Sequence, residues 1–285
     1  MTQLAFAPVI PAPEGVSVLL RDIVHEHTGV YFENDRLDSL LDKLGERATF
    51  HGCRSFLDYY YILKYEERGP EEWLRVMDAF SVQETYFWRE ESQLEALTAK
   101  VVPDWFRRRR DPLRIWSAAC ASGEEPYSIV LSLLEAGLGD LPIEIVASDA
   151  SEAALAKARA ALYRERSFRA LAEPLRQKYF RREPDGWRLD PAVAARVRFR
   201  RANLVDGSEI APLAGASVVF CRNVFIYFSA DAIRRTLTQL AARMPPGAHL
   251  FVGSSESLLR LTQDFELTET GDAFVYVRKP VPASP

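Results

Sequence analysis

Apolar positions along the chain follow two regimes that change near Thr85. From residue 15 to about 80 they recur at helical spacing. Leu37, Leu40, Leu41 and Leu44 fall at i, i+3, i+4 and i+7, and Phe56, Tyr59, Tyr60 and Leu63 repeat the pattern. Trp73, Val76, Met77 and Phe80 do so again, with breaks at Thr28-Gly29, His51-Gly52 and Gly69-Pro70. This predicts a small all-helical N-terminal domain over 15–80, its aromatic stripes packed as core. Beyond Thr85 the apolar runs shorten to strand length at 114–117 (RIWS), 143–147 (IEIVA), 197–199, 217–220 (SVVF) and 249–252 (HLFV). Helical patterns lie between them at 126–136, 152–161 and 230–244. Alternation of this kind predicts βαβ units and a parallel sheet, hence an α/β domain over 81–280. Residues 265–267 and 273–278, joined across Gly271-Asp272, read as an antiparallel hairpin on the sheet edge. Pro184-Asp185-Gly186, inside FRREPDGWRL (180–189), predicts a turn and a small β insertion near 163–196. No internal repeat is present.

Composition narrows the function classes. A chain of 285 residues, 48% hydrophobic and 27% charged, is that of an ordinary globular protein large enough for both domains. A formal net charge of −4 argues against a nucleic-acid partner, since phosphate binding needs a concentrated basic field. The run Arg107 to Arg110 reads as a surface turn before a strand. Cys53, Cys120 and Cys221 form no CxxC pair, and His25, His27, His51 and His249 form no HExxH pattern. Neither a disulfide framework nor metal catalysis is expected. No apolar run approaches the length of a membrane span. The start, MTQLAFAPVIPAPEG, lacks a basic opening and reads as an extended arm rather than a signal peptide. A cytoplasmic protein with no direct membrane insertion is expected.

Four stretches carry candidate chemistry. WSAACASGEEPYS (116–128) follows a strand and opens a helix, where small residues admit a ligand close to the backbone. Glu124 and Glu125 in its first turn would repel a phosphate, so a cationic or hydroxyl-rich ligand fits better; they also suit a helix start by complementing its dipole. Asp149 ends the next strand, 26 positions after Gly123, where an acid binds ribose hydroxyls in doubly wound folds. It would equally serve as N-cap of the helix beginning near Ser151. In SVQETYFWRE (81–90), Arg89 is either a surface arginine stacked on aromatics or a planar fork for a carboxylate. In VVFCRNVFIYF (218–228), Cys221, Arg222, Asn223 and Tyr227 follow a buried strand and face the ligand crevice of such a sheet, unless the Tyr227 hydroxyl only caps a loop.

Together ETYFWRE, RIWSAACASGEEPYS, ASDAS, Ala202-Asn203-Leu204, FCRNVFIYF and GSSES (253–257), in this order, resemble the CheR family of chemotaxis receptor methyltransferases. The resemblance spans about residues 17 to 278. It implies a class I S-adenosylmethionine methyltransferase sheet, Rossmann-like, with an inserted β-subdomain behind a helical receptor-docking domain. It also implies S-adenosylmethionine as cofactor and methyl esterification of glutamates in the cytoplasmic helical region of a chemoreceptor. Arg89 and Tyr227 would be catalytic, Arg89 orienting the carboxylate and Tyr227 facing the methyl. Gln83, Thr85, Arg89, Ala118, Glu125, Asp149, Asn203, Leu204, Cys221, Arg222 and Asn223 would contact the cofactor. Asp149 would hold the ribose and Asn203 and Leu204 the adenine, with Glu125 beside the aminoacyl or sulfonium region. Arg222 and Asn223 would line the pocket near the methyl.

Gln83 stands where the family commonly has asparagine. The family's basic docking helix corresponds to residues 34–47, where Arg36, Lys43 and Arg47 share a side but alternate with Asp35, Asp38, Asp42 and Glu46. Two other readings remain: a methyltransferase of a different carboxylate or small molecule, and a module that senses S-adenosylmethionine without turnover.

Overall fold

The leucine and aromatic stripes at the start of the chain become four helices: α1 (Val16–Thr28), α2 (Leu37–Phe50), α3 (Phe56–Tyr65) and α4 (Gly69–Phe80). They are seen in a computed structural model that describes residues 10–280. The N-terminal arm up to residue 9 and the proline-rich end from 281 lie outside the described residues. The chain divides into two units, one ending at Ser81 and the other beginning at Val82. Among the described residues no helix is long and apolar enough to cross a membrane.

In the first unit the breaks have local causes. Gly29 adopts φ 77 and its N–H closes α1 on His25 O, a left-handed cap that suits glycine. Ser55 and Asp58 form a reciprocal capping box on α3. Pro70 sits in the first turn of α4, where a missing N–H leaves no bond unmade. Leu20, Leu40, Leu44, Tyr59 and Val76 meet in a solvent-free core.

One carboxylate is buried within that unit. Glu72 accepts from the Arg47 guanidinium in two-point fashion, from Tyr59 Oη at 2.6 Å and from His51 Nε2 at 2.8 Å. Burial opposes its charge, but the bonds from Arg47, His51 and Tyr59 outweigh burial and pull its carboxyl down to about 2. Arg47 also lies over the Phe50 ring, and Lys43 donates to Ala79 O and lies over Phe80. Of the three cations expected to share a docking side, Arg47 is thus bound within its own unit, while Lys43 stays exposed. Because the folded value lies below the ordinary carboxylate one, Glu72 stabilises the unit above about pH 4.5, and this is lost as pH falls towards 2. Glu72→Gln should destabilise this unit by about 3 kcal/mol at neutral pH and flatten its acid-unfolding profile, read by urea denaturation from pH 7 to 2.5.

The second unit begins with helical turns that the periodicity did not predict: α5 (Glu91–Ala96), a π-helical turn (Leu97–Val101) and α6 (Val102–Arg108). Leu94, Leu97, Val101 and Val102 are its buried positions. The π-turn shifts their phase, which hides the period. Arg107 and Arg108 therefore end a helix instead of forming the expected surface turn. The remaining helices are α7 (Glu124–Glu135), α8 (Glu152–Ala160), α9 (Glu173–Tyr179), α10 (Pro191–Ala194), α11 (Gly207–Ile210) and α12 (Ala230–Ala241).

The strands are β1 (Leu113–Ala118), β2 (Ile143–Asp149), β3 (Leu162–Tyr163), β4 (Phe180–Glu183), β5 (Gly186–Leu189), β6 (Val197–Arg201), β7 (Val218–Phe220), β8 (His249–Phe251), β9 (Phe265–Thr270) and β10 (Ala273–Arg278). Seven form a sheet in the order β6-β2-β1-β7-β8-β10-β9. All pairs are parallel except those of β10, antiparallel to both neighbours. Side chains alternate between two cores: Ile115, Phe220 and Phe251 pack into one, Trp116, Val219 and Leu250 into the other. Burial on both faces explains why these strands read as continuous apolar runs. The sheet is the expected Rossmann-like one, and β3, β5 and β4 form the small inserted sheet around the predicted turn.

Candidate active site

Parallel pairing brings the carboxyl ends of β2, β1, β7 and β8 to one edge, and chain order reverses about β1, whose neighbours are β2 and β7. Ligands of open α/β sheets collect at such a reversal. Backbone strain collects there too. Trp88, Glu90, Ala119, Ala121 and Asn223 have φ between 48° and 66°, and Ala161 is the sixth described non-glycine residue with positive φ. Such conformations cost free energy and persist where neighbours over-determine them.

The loop after β1 alternates Ala119, Ala121 and Gly123 in left-handed conformation. A side chain at Gly123 is excluded by φ +93° and by Ala158 Cβ, 2.9 Å from where its Cβ would stand. Asp149 fastens this loop: its Oδ2 accepts Ala121 N and its Oδ1 accepts Ser151 N, both at 2.9 Å. The N-cap of α8 is Ser151, whose Oγ accepts Ala154 N at 3.0 Å, so Asp149 is not the cap.

Glu124 and Glu125 lie in the first turn of α7 and both are buried. Glu124 accepts from Ser122 and Ser167; burial pushes its carboxyl up, against those bonds. Glu125 accepts from Ser117 Oγ and from Arg222 Nε, each at 2.7 Å. Arg222, its side chain 2% exposed, also donates to Arg89 O at 2.9 Å and to Gln93 Oε1 at 3.3 Å. Arg222, expected to line the pocket, is engaged by these partners at the strand ends. Its guanidinium is spent inside the protein, joining the loop after β7 to α7 and to the segment that carries Arg89.

That segment is held by Phe87, fully buried against Tyr163, Phe168 and Phe180. Phe87 N donates to Ser167 O and Trp88 N to Ser128 Oγ. With Phe87 inward, Thr85, Tyr86 and Arg89 remain half-buried at the surface. The Arg89 guanidinium lies 5.4 Å from the Tyr86 ring centroid and donates to Glu84 O at 3.3 Å, which leaves most of its fork unengaged. Gln83 Oε1 accepts from Lys157 Nζ at 2.6 Å.

Ala118, Leu204 and Cys221 are buried. Asn203 N donates to Glu209 Oε2 at 2.7 Å. Asn223 is half-buried with φ 58°. Tyr227, 37% exposed, has no hydrogen-bond partner for its hydroxyl among the described residues, so that hydroxyl caps no described loop. Burial raises the Cys120 and Cys221 thiols well above their ordinary value, which disfavours a thiolate at either. Sequence reasoning assigned no role to Phe87, Gln93 or Glu256, although Phe87 and Glu256 lie in the ETYFWRE and GSSES stretches. Phe87 resembles any core aromatic in sequence, and the roles of the other two depend on partners more than 90 positions away or on a loop without periodicity.

Residues 83–274 match the model of the CheR methyltransferase SAM-binding domain, and residues 18–81 that of the CheR methyltransferase all-alpha domain. The chain belongs to the CheR methyltransferase family. Chemotaxis protein methyltransferase 2 of Vibrio cholerae is 39% identical, the match covering 87% of each chain. Chemotaxis protein methyltransferase 1 of Pseudomonas aeruginosa is 34% identical over 92% of this chain and 97% of its own. Chemotaxis protein methyltransferase Cher2 of Pseudomonas putida is 34% identical over 87% and 90%. As a CheR methyltransferase, the protein uses S-adenosylmethionine.

The strand-end edge suits that cofactor. Its acids and small residues favour a cationic, hydroxyl-bearing ligand over a phosphate, and Asp149 stands as acceptor at the end of β2. Removal of one partner of a buried ion pair leaves the other charge uncompensated. Arg222→Ala should therefore destabilise the second unit by about 3 kcal/mol, seen as a lower urea midpoint with unchanged slope.

Proposed function

We propose that the protein transfers the methyl group of S-adenosylmethionine to glutamate side chains in the cytoplasmic helical region of a chemoreceptor-like protein, forming methyl esters in chemosensory adaptation. The single observation that carries this reading is the match of both family domains to nearly the whole chain. Relatives named chemotaxis protein methyltransferases support the chemoreceptor as substrate, and a cytoplasmic location follows from such a partner.

S-adenosylmethionine supplies a methyl carbon made electrophilic by a sulfonium. A glutamate carboxylate, with an ordinary pKa of about 4.3, is already ionised at neutral pH and needs no general base. What remains is to hold nucleophile and methyl in line and to exclude water. Arg89, on its strained segment, orients the carboxylate; its unengaged donors fit that task. Tyr227, with its free hydroxyl, donates to the second carboxylate oxygen. At the cofactor, Asp149 holds the ribose hydroxyls, Asn203 and Leu204 flank the adenine, and Glu125 faces the cationic end. Gln83 and Thr85 reach the methionine end, while Ala118, Cys221 and Asn223 contribute backbone and close the wall. Arg222 acts from behind, by fixing Glu125 and the Arg89 backbone.

Titration calorimetry with S-adenosylmethionine and S-adenosylhomocysteine tests the cofactor roles. Asp149→Ala should weaken both at least about tenfold. Tyr227→Phe should keep both affinities and lower turnover by about 10- to 100-fold, the worth of one hydrogen bond to a charged group. Equal affinity in wild type and Asp149→Ala would remove Asp149 from the site.

A further inference from the structure

Glu256, in the GSSES stretch, has been given no role above, yet its carboxylate accepts four backbone hydrogen bonds near the strand ends. Its Oε2 accepts Asn223 N and Gly253 N, each at 2.7 Å, and its Oε1 accepts Phe225 N at 2.7 Å and Ile226 N at 3.3 Å. A carboxylate offers about four acceptor sites, and all four are taken by backbone donors of two loops. These donors bracket the Asn223–Ile226 turn that ends at Tyr227. Asn223, first in that turn, is left-handed at φ 58° and needs outside support to stay there.

The second loop is shaped to the same end. A Cβ on Gly253 would stand 2.4 Å from Asn223 Nδ2 and 2.8 Å from Glu256 Oε2, so a side chain there would push directly on both groups. Ser254 donates its N–H and Oγ to Glu90 Oε1 at 3.1 and 3.3 Å, and Glu90 directly follows Arg89. Beyond the turn, Leu258 is buried and its N–H donates to Tyr276 Oη at 2.9 Å. The 253–256 turn is thus anchored on β10 and touches both segments that carry the proposed acceptor-side groups.

We propose that Glu256 is a positioning residue for methyl transfer, its carboxylate pinning the strained Asn223 turn so that the Tyr227 hydroxyl is presented to the incoming carboxylate. The inference rests on the reading of Tyr227 as an acceptor-side group. It separates Glu256 from Asp149 and Glu125, which face the cofactor: Glu256 reaches the cofactor wall only through the Asn223 backbone, so its loss acts chiefly on turnover.

A double-mutant cycle tests this. Glu256→Gln keeps the size of the side chain but turns an amide NH2 towards backbone N–H groups. Wild type, Glu256→Gln, Tyr227→Phe and the double variant are compared for kcat on a chemoreceptor cytoplasmic fragment and for Kd of S-adenosylhomocysteine. Glu256→Gln should lower kcat about 10- to 100-fold and leave that Kd within about threefold. If the residue acts through Tyr227, the double variant will be no more than about threefold slower than the slower single variant. Losses that multiply, a kcat within about twofold of wild type, or a loss confined to Kd would overturn the proposal. Full turnover in Tyr227→Phe would instead sink the role of Tyr227 and this route with it. Should Glu256→Gln fail to fold, Gly253→Ala strains the same contact with the carboxylate intact. The same slow turnover at unchanged Kd is expected of it, and wild-type turnover would again overturn the proposal.

Discussion

Arg222 and Glu125 form an ion pair, 2.7 Å long and almost wholly out of solvent, between the loop after β7 and the first turn of α7. Much else at the strand ends depends on it. The guanidinium also reaches Arg89 O and Gln93 Oε1, and Gln93 Nε2 donates to Val252 O beyond β8. Four chain segments distant in sequence are joined at one buried charge. Desolvation makes such a pair a poor source of net stability. Its value is geometric, since a guanidinium with five fixed donors admits few arrangements of its partners.

A second consequence concerns the acids. Asp149, Glu125, Glu90 and Glu256 all bond to groups of the loops around the strand ends. None of them has to exchange a proton in the proposed chemistry, because the nucleophile arrives ionised and the leaving group is a neutral thioether. Carboxylates serve here as acceptors that tie the strand-end loops together, while Arg89 and Tyr227, both reached by solvent, are donors. That division suits a reaction whose barrier is lowered by alignment and dehydration.

Much of the fold was legible in the pattern of apolar positions. Strands buried on both faces leave continuous runs such as RIWS and SVVF, and the helical stripes of 37–80 all reached a core. The π-turn at 97–101 escaped because it breaks the period on which such reading depends. The strand-end loops were legible as motifs, but their internal bonding was not. The place of Arg222 after β7 was legible, but its bond to Glu125, 97 positions away, was not. Lys43 and Arg47 share a helix side in sequence, yet contact with the buried Glu72 decides where the Arg47 charge goes. Long-range polar pairing has no periodicity, so Glu256 was legible as part of GSSES while its partners were not.

The central claim is the transfer of a methyl group to a carboxylate, and the nature of the product bond tests it most directly. The protein would be incubated with methyl-labelled S-adenosylmethionine and a chemoreceptor cytoplasmic fragment, and the labelled fragment exposed to mild alkali. The account predicts label on glutamates, released as methanol by base and abolished when those glutamates are replaced by alanine. Label that survives base, or no label on any chemoreceptor fragment while free small carboxylates are methylated, would contradict it.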